Sequence, residues 1–138
     1  MSAEGAMRAA VVAALGGDAA LMALVNGVYD GAPVQASEPF VVVAECAGVD
    51  WGAKGLDGRE VRLSISLHDK GDTSATIAAM LGRVEAAMRG MEGVVDGWRI
   101  VTMRFVRSRV ARSVASQRRE GGWQGVVDYR VRVVVEGV

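Results

Sequence analysis

From Val61 to His68 the chain alternates without a break: Val61, Leu63, Ile65 and Leu67 are apolar, and Arg62, Ser64, Ser66 and His68 between them are polar. A period of two places successive side chains on opposite faces, so this segment predicts a β-strand with one buried face. The period then changes. Ile77, Met80, Leu81, Val84, Met88 and Met91 recur at spacings of three and four, which predicts an amphipathic helix of about five turns with Asp72 or Thr73 as its N-cap. "GMEGVVDG" ends that helix.

Alternation returns in "RIVTMRFVR", residues 99 to 107, where Val101, Met103 and Phe105 are assigned to the core and Ile100, Thr102, Arg104 and Val106 to the other face. It returns again where Val127, Tyr129, Val131, Val133 and Val135 alternate with Asp128, Arg130, Arg132 and Val134. An arginine-rich connection, 108 to 122, joins these two strands.

The N-terminal part reads differently. Residues 3 to 15 are dense in alanine, a strong helix former, with Met7, Ala10, Val11 and Ala14 at helical spacing. "GGD" at 16 to 18 breaks this helix, and Asp18 is placed to cap a shorter one, "AALMALV", that stops at Asn26-Gly27. Both prolines of the chain lie in "VYDGAPVQASEPFVVV", residues 28 to 43. Proline removes a backbone donor and holds its predecessor extended, so the next strand is expected only from Phe40 to Ala47. Four glycines between 48 and 60 predict a hairpin loop.

The expected order is α-α-β-β-α-β-β: an α+β fold with a four-stranded, mainly antiparallel sheet and helices packed on one face. The opposite face is expected to be only half polar, because Ile100, Val106 and Val134 lie among its arginines and serines. Such a surface suits a protein partner.

Composition sets the limits. The 138 residues match one domain, 1 to 138, able to bury a core without disulfides or metals. No apolar stretch nears the roughly 18 residues of a membrane helix, and residues 1 to 15 lack the pattern of a secretory signal. A soluble, intracellular product without membrane contact is expected. The single cysteine, Cys46, sits in a strand and suits a small buried apolar side chain.

The formal net charge is zero, but unevenly built. Met1 to Gly97 holds 7 basic and 13 acidic residues, a net of −6, and Trp98 to Val138 holds 9 and 3, a net of +6. A chain with an acidic and a basic part can meet copies of itself, or offer a basic surface to a polyanion.

Candidate chemistry is sparse. His68 is the only histidine, which excludes a histidine-based metal cluster, and Asp50, Asp57, Asp69 and Asp72 sit in turns where aspartate bonds its own backbone. No glycine run forms a phosphate cradle, and no catalytic residue, cofactor or metal site is expected. One constellation stands out. Arg99, Arg104, Arg107, Arg109, Arg112, Arg118 and Arg119 fall within 21 residues, with no acidic residue before Glu120. Guanidinium groups bind carboxylates and phosphates in a bidentate way. Arg104, Arg107, Arg109, Arg112, Arg118 and Arg119 are therefore candidate contacts to an acidic protein or a nucleic-acid backbone. Phe105 is the one aromatic residue among them, too few for interleaved stacking of single-stranded bases; an arginine-rich nucleic-acid-binding module stays as the alternative.

Taken together, "NGVYDGAPVQASEPFVVV", "VRLSISLHD", "TIAAMLGRVEAAM" and "GGWQGVVDYRVRV" resemble, in order and over nearly the whole chain, the tail-completion or tail-terminator proteins of long-tailed bacteriophages and gene transfer agents. The pairing of Val28-Tyr29-Asp30 with Pro39-Phe40-Val41-Val42 is its most specific part. The resemblance implies a non-enzymatic virion protein, made in the bacterial cytoplasm and placed at the head–tail junction. It implies a homohexameric ring that ends the tail tube and joins the head connector or stopper protein, with duplex DNA passing transiently through its channel. The arginines would then face the channel or an adjoining ring, and Tyr29, Ile100 and Val106 become candidate subunit contacts. The length and arginine content of 107 to 122 depart from the family's usual pattern.

Overall fold

A computed structural model describes residues 2–113 and 122–136. The elements in chain order are α1 (Ala3–Gly16), α2 (Ala19–Met22), β1 (Val28–Asp30), β2 (Phe40–Asp50), β3 (Gly58–Asp69), α3 (Ala75–Arg89), β4 (Val94–Val95), β5 (Trp98–Arg112) and β6 (Trp123–Val135). The strands form one six-stranded mixed sheet, ordered β1-β2-β3-β6-β5-β4, which curves into a half-barrel. The expected four-stranded sheet in the order α-α-β-β-α-β-β is therefore incorrect. Two short strands account for the difference, and each has a local cause.

The first is β1, within the proline-bearing stretch, where strand was expected only after Pro39. Val28, Tyr29 and Asp30 pair in parallel with Val41, Val42 and Val43. The intervening loop is tied back on itself: the Asn26 backbone N–H donates to the Pro39 carbonyl at 2.8 Å, and its side-chain amide donates to the carbonyls of Ser37 and Glu38. The second is β4. Val95 pairs with Trp98 across Asp96 and Gly97, and both turn residues have positive φ, 50° and 87°. That is the backbone of a type I′ hairpin, which Asp-Gly favours. "VVDGW" is a hairpin rather than a helix end.

The long strands outrun their expected limits. β2 continues to Asp50 and β3 begins at Gly58, so the loop is shorter than 48 to 60. β5 and β6 extend to Arg112 and from Trp123, so residues 108–112 of the expected connection are ladder; residues 114–121 lie outside the described residues. The second helix is one turn, and Asp18 makes no side-chain cap bond there. Its carboxylate instead takes two hydrogen bonds from Arg83 of α3, at 2.8 and 3.1 Å, which hold it below the usual aspartate range. Ser74, not Asp72 or Thr73, precedes α3.

One side of the sheet carries the core. α1 buries Ala3, Ala6, Met7, Val11 and Leu15, and α3 buries Ile77, Met80, Val84 and Met88, against Val61, Leu63, Ile65 and Leu67 of β3 and Val127, Tyr129, Val131 and Val133 of β6. Each such valine, leucine, isoleucine or methionine contributes on the order of 1.5–3 kcal/mol by leaving water. Ser2 caps α1, its hydroxyl accepting from the Gly5 N–H at 3.0 Å.

Candidate partner interface

Strand parity carries the site. Since Val127, Tyr129, Val131 and Val133 point into the core, the residues between them, Val126, Asp128, Arg130, Arg132 and Val134, point to the other face. The β5 residues opposite these last five are Arg109, Arg107, Arg104, Thr102 and Arg99. On β3 the corresponding partners are Ser66, Ser64, Arg62, Glu60 and Gly58. The face without helices is thus an arginine field.

Its centre is a row across three strands. Arg62 stands opposite Arg130, and Arg130 opposite Arg104. Like charges directly opposite in a ladder repel. Among the described residues one acid offsets part of this charge: Glu60, only 9% exposed, lies 3.2 Å from Arg132 Nε, 3.5 Å from Arg130 Nε and 3.8 Å from Arg62 Nη2. It hydrogen-bonds Arg132 but leaves the buried Arg130 Nε without a hydrogen bond. Beside the row, Arg107 donates to Asp128 at 2.9 Å. Arg104 and Arg109 have no acidic partner among the described residues. A groove of about 540 Å³ runs here, with Arg62, Arg107 and Arg130 on its walls and Val106 and Val126 among its apolar lining. Chemically it offers several guanidinium forks at strand spacing, a surface for carboxylates or phosphates.

Of the six arginines singled out in the sequence, Arg104, Arg107 and Arg109 come together on this face. Arg112 is on the other side, its guanidinium 5.2 Å from the Trp123 ring centre. Arg118 and Arg119 lie outside the described residues. Arg62, Arg130, Arg132 and Glu60 belong to the field but were not singled out, because they stand far apart in sequence and only register joins them. Their polar positions within alternating strands were the available signal.

The three apolar candidates separate. Val106 sits at a bulge and is exposed, beside the groove. Tyr29 packs edge-on to Phe40, ring centres 5.9 Å apart, and borders a hollow with Asn26 and Gln35. Ile100 does not point outward as expected; it lies opposite Val133 and packs on the core. The reason is a bulge between Ile100 and Thr102 that inverts the alternation, and it leaves Val101, expected inside, 47% exposed; Phe105 lies opposite Tyr129 on the core side of the sheet, as expected, yet is 50% exposed.

Potential acid–base groups do not converge. His68 stacks on Phe40 with ring centres 4.7 Å apart, its Nε2 3.1 Å from Ser66 Oγ, and burial lowers its pKa. Burial pushes the Cys46 thiol up, away from the reactive thiolate. Tyr129, buried under α3, is pushed up to about 12 by desolvation, with Glu85 adding to it. Among the described residues no group of three or more His, Cys, Asp or Glu could hold a metal ion, and no helix is long and apolar enough to cross a membrane.

The sheet is thus covered by helices on one face and presents arginines on the other. The family model described as Tail completion protein gp17 matches residues 9–134, and the chain belongs to that family. A chain of a solved structure, described as "Virion of native gene transfer agent (GTA) particle", is similar with a TM-score of 0.83 at 28% identity, over 97% of this chain and 99% of that one. A comparison with curated proteins returned no match. These findings make the protein a structural tail protein and not an enzyme.

Proposed function

We propose that this chain is the tail terminator of its particle: copies of the whole chain, 1 to 138, form a homohexameric ring on the head-proximal end of the tail tube. The ring stops tube polymerisation and joins the head connector or stopper protein, and genome DNA passes through its channel. The observation that carries this reading is the near end-to-end likeness to a chain of a gene transfer agent virion, together with the family match. The charge division supports it, since a heterologous ring needs two different complementary patches on each subunit. The arginine field fits an acidic neighbour better than moving DNA. Strong phosphate binding would stall the genome, so any DNA binding is expected to be weak and to fall steeply with salt.

Deleting the gene for this chain and restoring it in trans tests the proposal. Without it, tails of uncontrolled length and unattached heads are expected by electron microscopy. Tails of normal length joined to heads in the deletion strain would overturn it.

A further inference from the structure

We propose that neighbouring copies in the ring join edge to edge: the free edge of β5 in one copy pairs antiparallel with the free edge of β2 in the next. This rests on the ring reading above and specifies its interface.

Both outer strands of the sheet are too short for the strands they cover. β4 pairs only with Trp98 and Arg99 of β5, with one further bond from the Ile100 N–H to the Gly93 carbonyl. Beyond this, β5 runs to Arg112 with β6 on one side and, among the described residues, no strand on the other. At the opposite end β1 covers only Val41 to Val43, and the Arg8 guanidinium donates to the carbonyls of Val43 and Ala44. From Glu45 to Asp50, β2 pairs among the described residues with β3 alone. Alternate backbone N–H and C=O groups along both segments face outward.

Such edges invite pairing. The β5 edge is also apolar: Val101, Phe105, Val106 and Val110 are among the exposed large hydrophobic residues, as is Val49 on β2. Charge selects the partner. β5 holds Arg99, Arg104, Arg107, Arg109 and Arg112 and no acid, whereas β2 holds Glu45 and Asp50 and no base. Two β5 edges would set arginine against arginine, so β5 on β2 is favoured and β5 on β5 is opposed.

Direction agrees. β2 runs antiparallel to β3, β3 to β6 and β6 to β5, so β2 and β5 run oppositely. Rotation about an axis along the strands preserves direction and brings the β2 of the next copy antiparallel to β5. One ladder row contains Glu45, Ser64, Asp128 and Arg107, and the adjacent row contains Cys46, Leu63, Tyr129 and Phe105. A neighbour at the same level sets its Glu45 beside Arg107 and its Cys46 beside Phe105; a slip of two residues keeps every side chain on its face and moves Met103 toward Cys46.

The test uses the full chain and its single native cysteine. Phe105→Cys or Met103→Cys, assembled at high concentration and mildly oxidised, is expected to give a non-reducing gel ladder ending at the ring size, because antiparallel neighbours bring Cα atoms within about 5.5 Å. Adding Cys46→Ser should remove the ladder. Val110→Cys should give none, since its ladder row leads to Val41, which β1 covers. Independently, Arg107→Glu should weaken assembly at least tenfold and Glu45→Arg on the same chain should restore it. A ring by native mass spectrometry without a ladder from either β5 cysteine, or without charge-swap rescue, overturns the edge pairing and leaves the ring reading standing. A chain that stays monomeric both alone and with tail tubes overturns the ring reading and the edge pairing with it.

Discussion

Arg104 and Arg130 stand directly opposite each other in the β5–β6 ladder, on the face of the sheet away from the core, and no acidic residue pairs with Arg104 among the described residues. A folded monomer gains nothing from this juxtaposition. Arg104→Thr is expected to stabilise the isolated chain by ~0.5 kcal/mol, since it removes like charge and introduces a good strand former. It should also weaken assembly with an acidic neighbour. Urea denaturation alongside particle assembly checks both signs; loss of monomer stability would show that Arg104 serves the fold.

Glu60 should behave in the opposite way. Among the described residues it is the one acid paired with Arg62, Arg130 and Arg132, and it is nearly buried. Glu60→Gln leaves those guanidinium groups without a counter-charge and should cost roughly 2–3 kcal/mol, the partial exposure of the arginines keeping it below a fully buried pair. A Tm lower by roughly 10 °C in a thermal melt is the expected result.

Neutralising Arg107, Arg109, Arg112, Arg118 and Arg119 together should abolish joining of heads to tails while the chain still folds. Transduction or infection by particles carrying the variant measures this. Fully active particles would remove these arginines from the contact.

Tyr29→Ala should weaken ring assembly and leave a folded chain. The ring packs edge-on against Phe40, a contact worth about 0.5–1.5 kcal/mol beyond its burial, which is too little to unfold the core. Native mass spectrometry and circular dichroism on the same sample separate the two effects; unchanged assembly would take Tyr29 out of the interface.

Stability should fall between neutral and mildly acidic pH because of His68. Burial lowers its folded pKa below the ordinary value of 6.5, with Glu38 opposing only in part. The unfolded chain therefore binds the proton first, and stability, complete above that value, is lost as pH drops through it toward the folded pKa. Asp18 and Glu136, held low by Arg83 and Arg99, titrate beneath this window. His68→Phe should flatten the urea midpoint between pH 7.5 and 5.5.

Local spacing along the chain marked α1, α3 and the middles of the four long strands, because periods of two and of three to four follow from backbone geometry within one element. It also marked an arginine-rich segment. The short strands were less visible. Val94–Val95 carries a hairpin signal in Asp96-Gly97 but too few residues to show a period, and Val28–Asp30 becomes a strand only because β2 supplies its hydrogen-bond partners.

The facing of β5 needed the fold itself. An extra residue between Ile100 and Thr102, and another between Phe105 and Arg107, invert the alternation each time, and a bulge exists only relative to a partner strand. The same holds for the interface. The order of residues determined how much positive charge this protein carries and where along the chain it falls. Strand register alone decided that Arg62, Arg130 and Arg104 share a row, that Glu60 lies within reach of Arg62, Arg130 and Arg132, and that the sheet ends in two partly uncovered edges, because hydrogen bonds between strands join residues no local pattern can bring together.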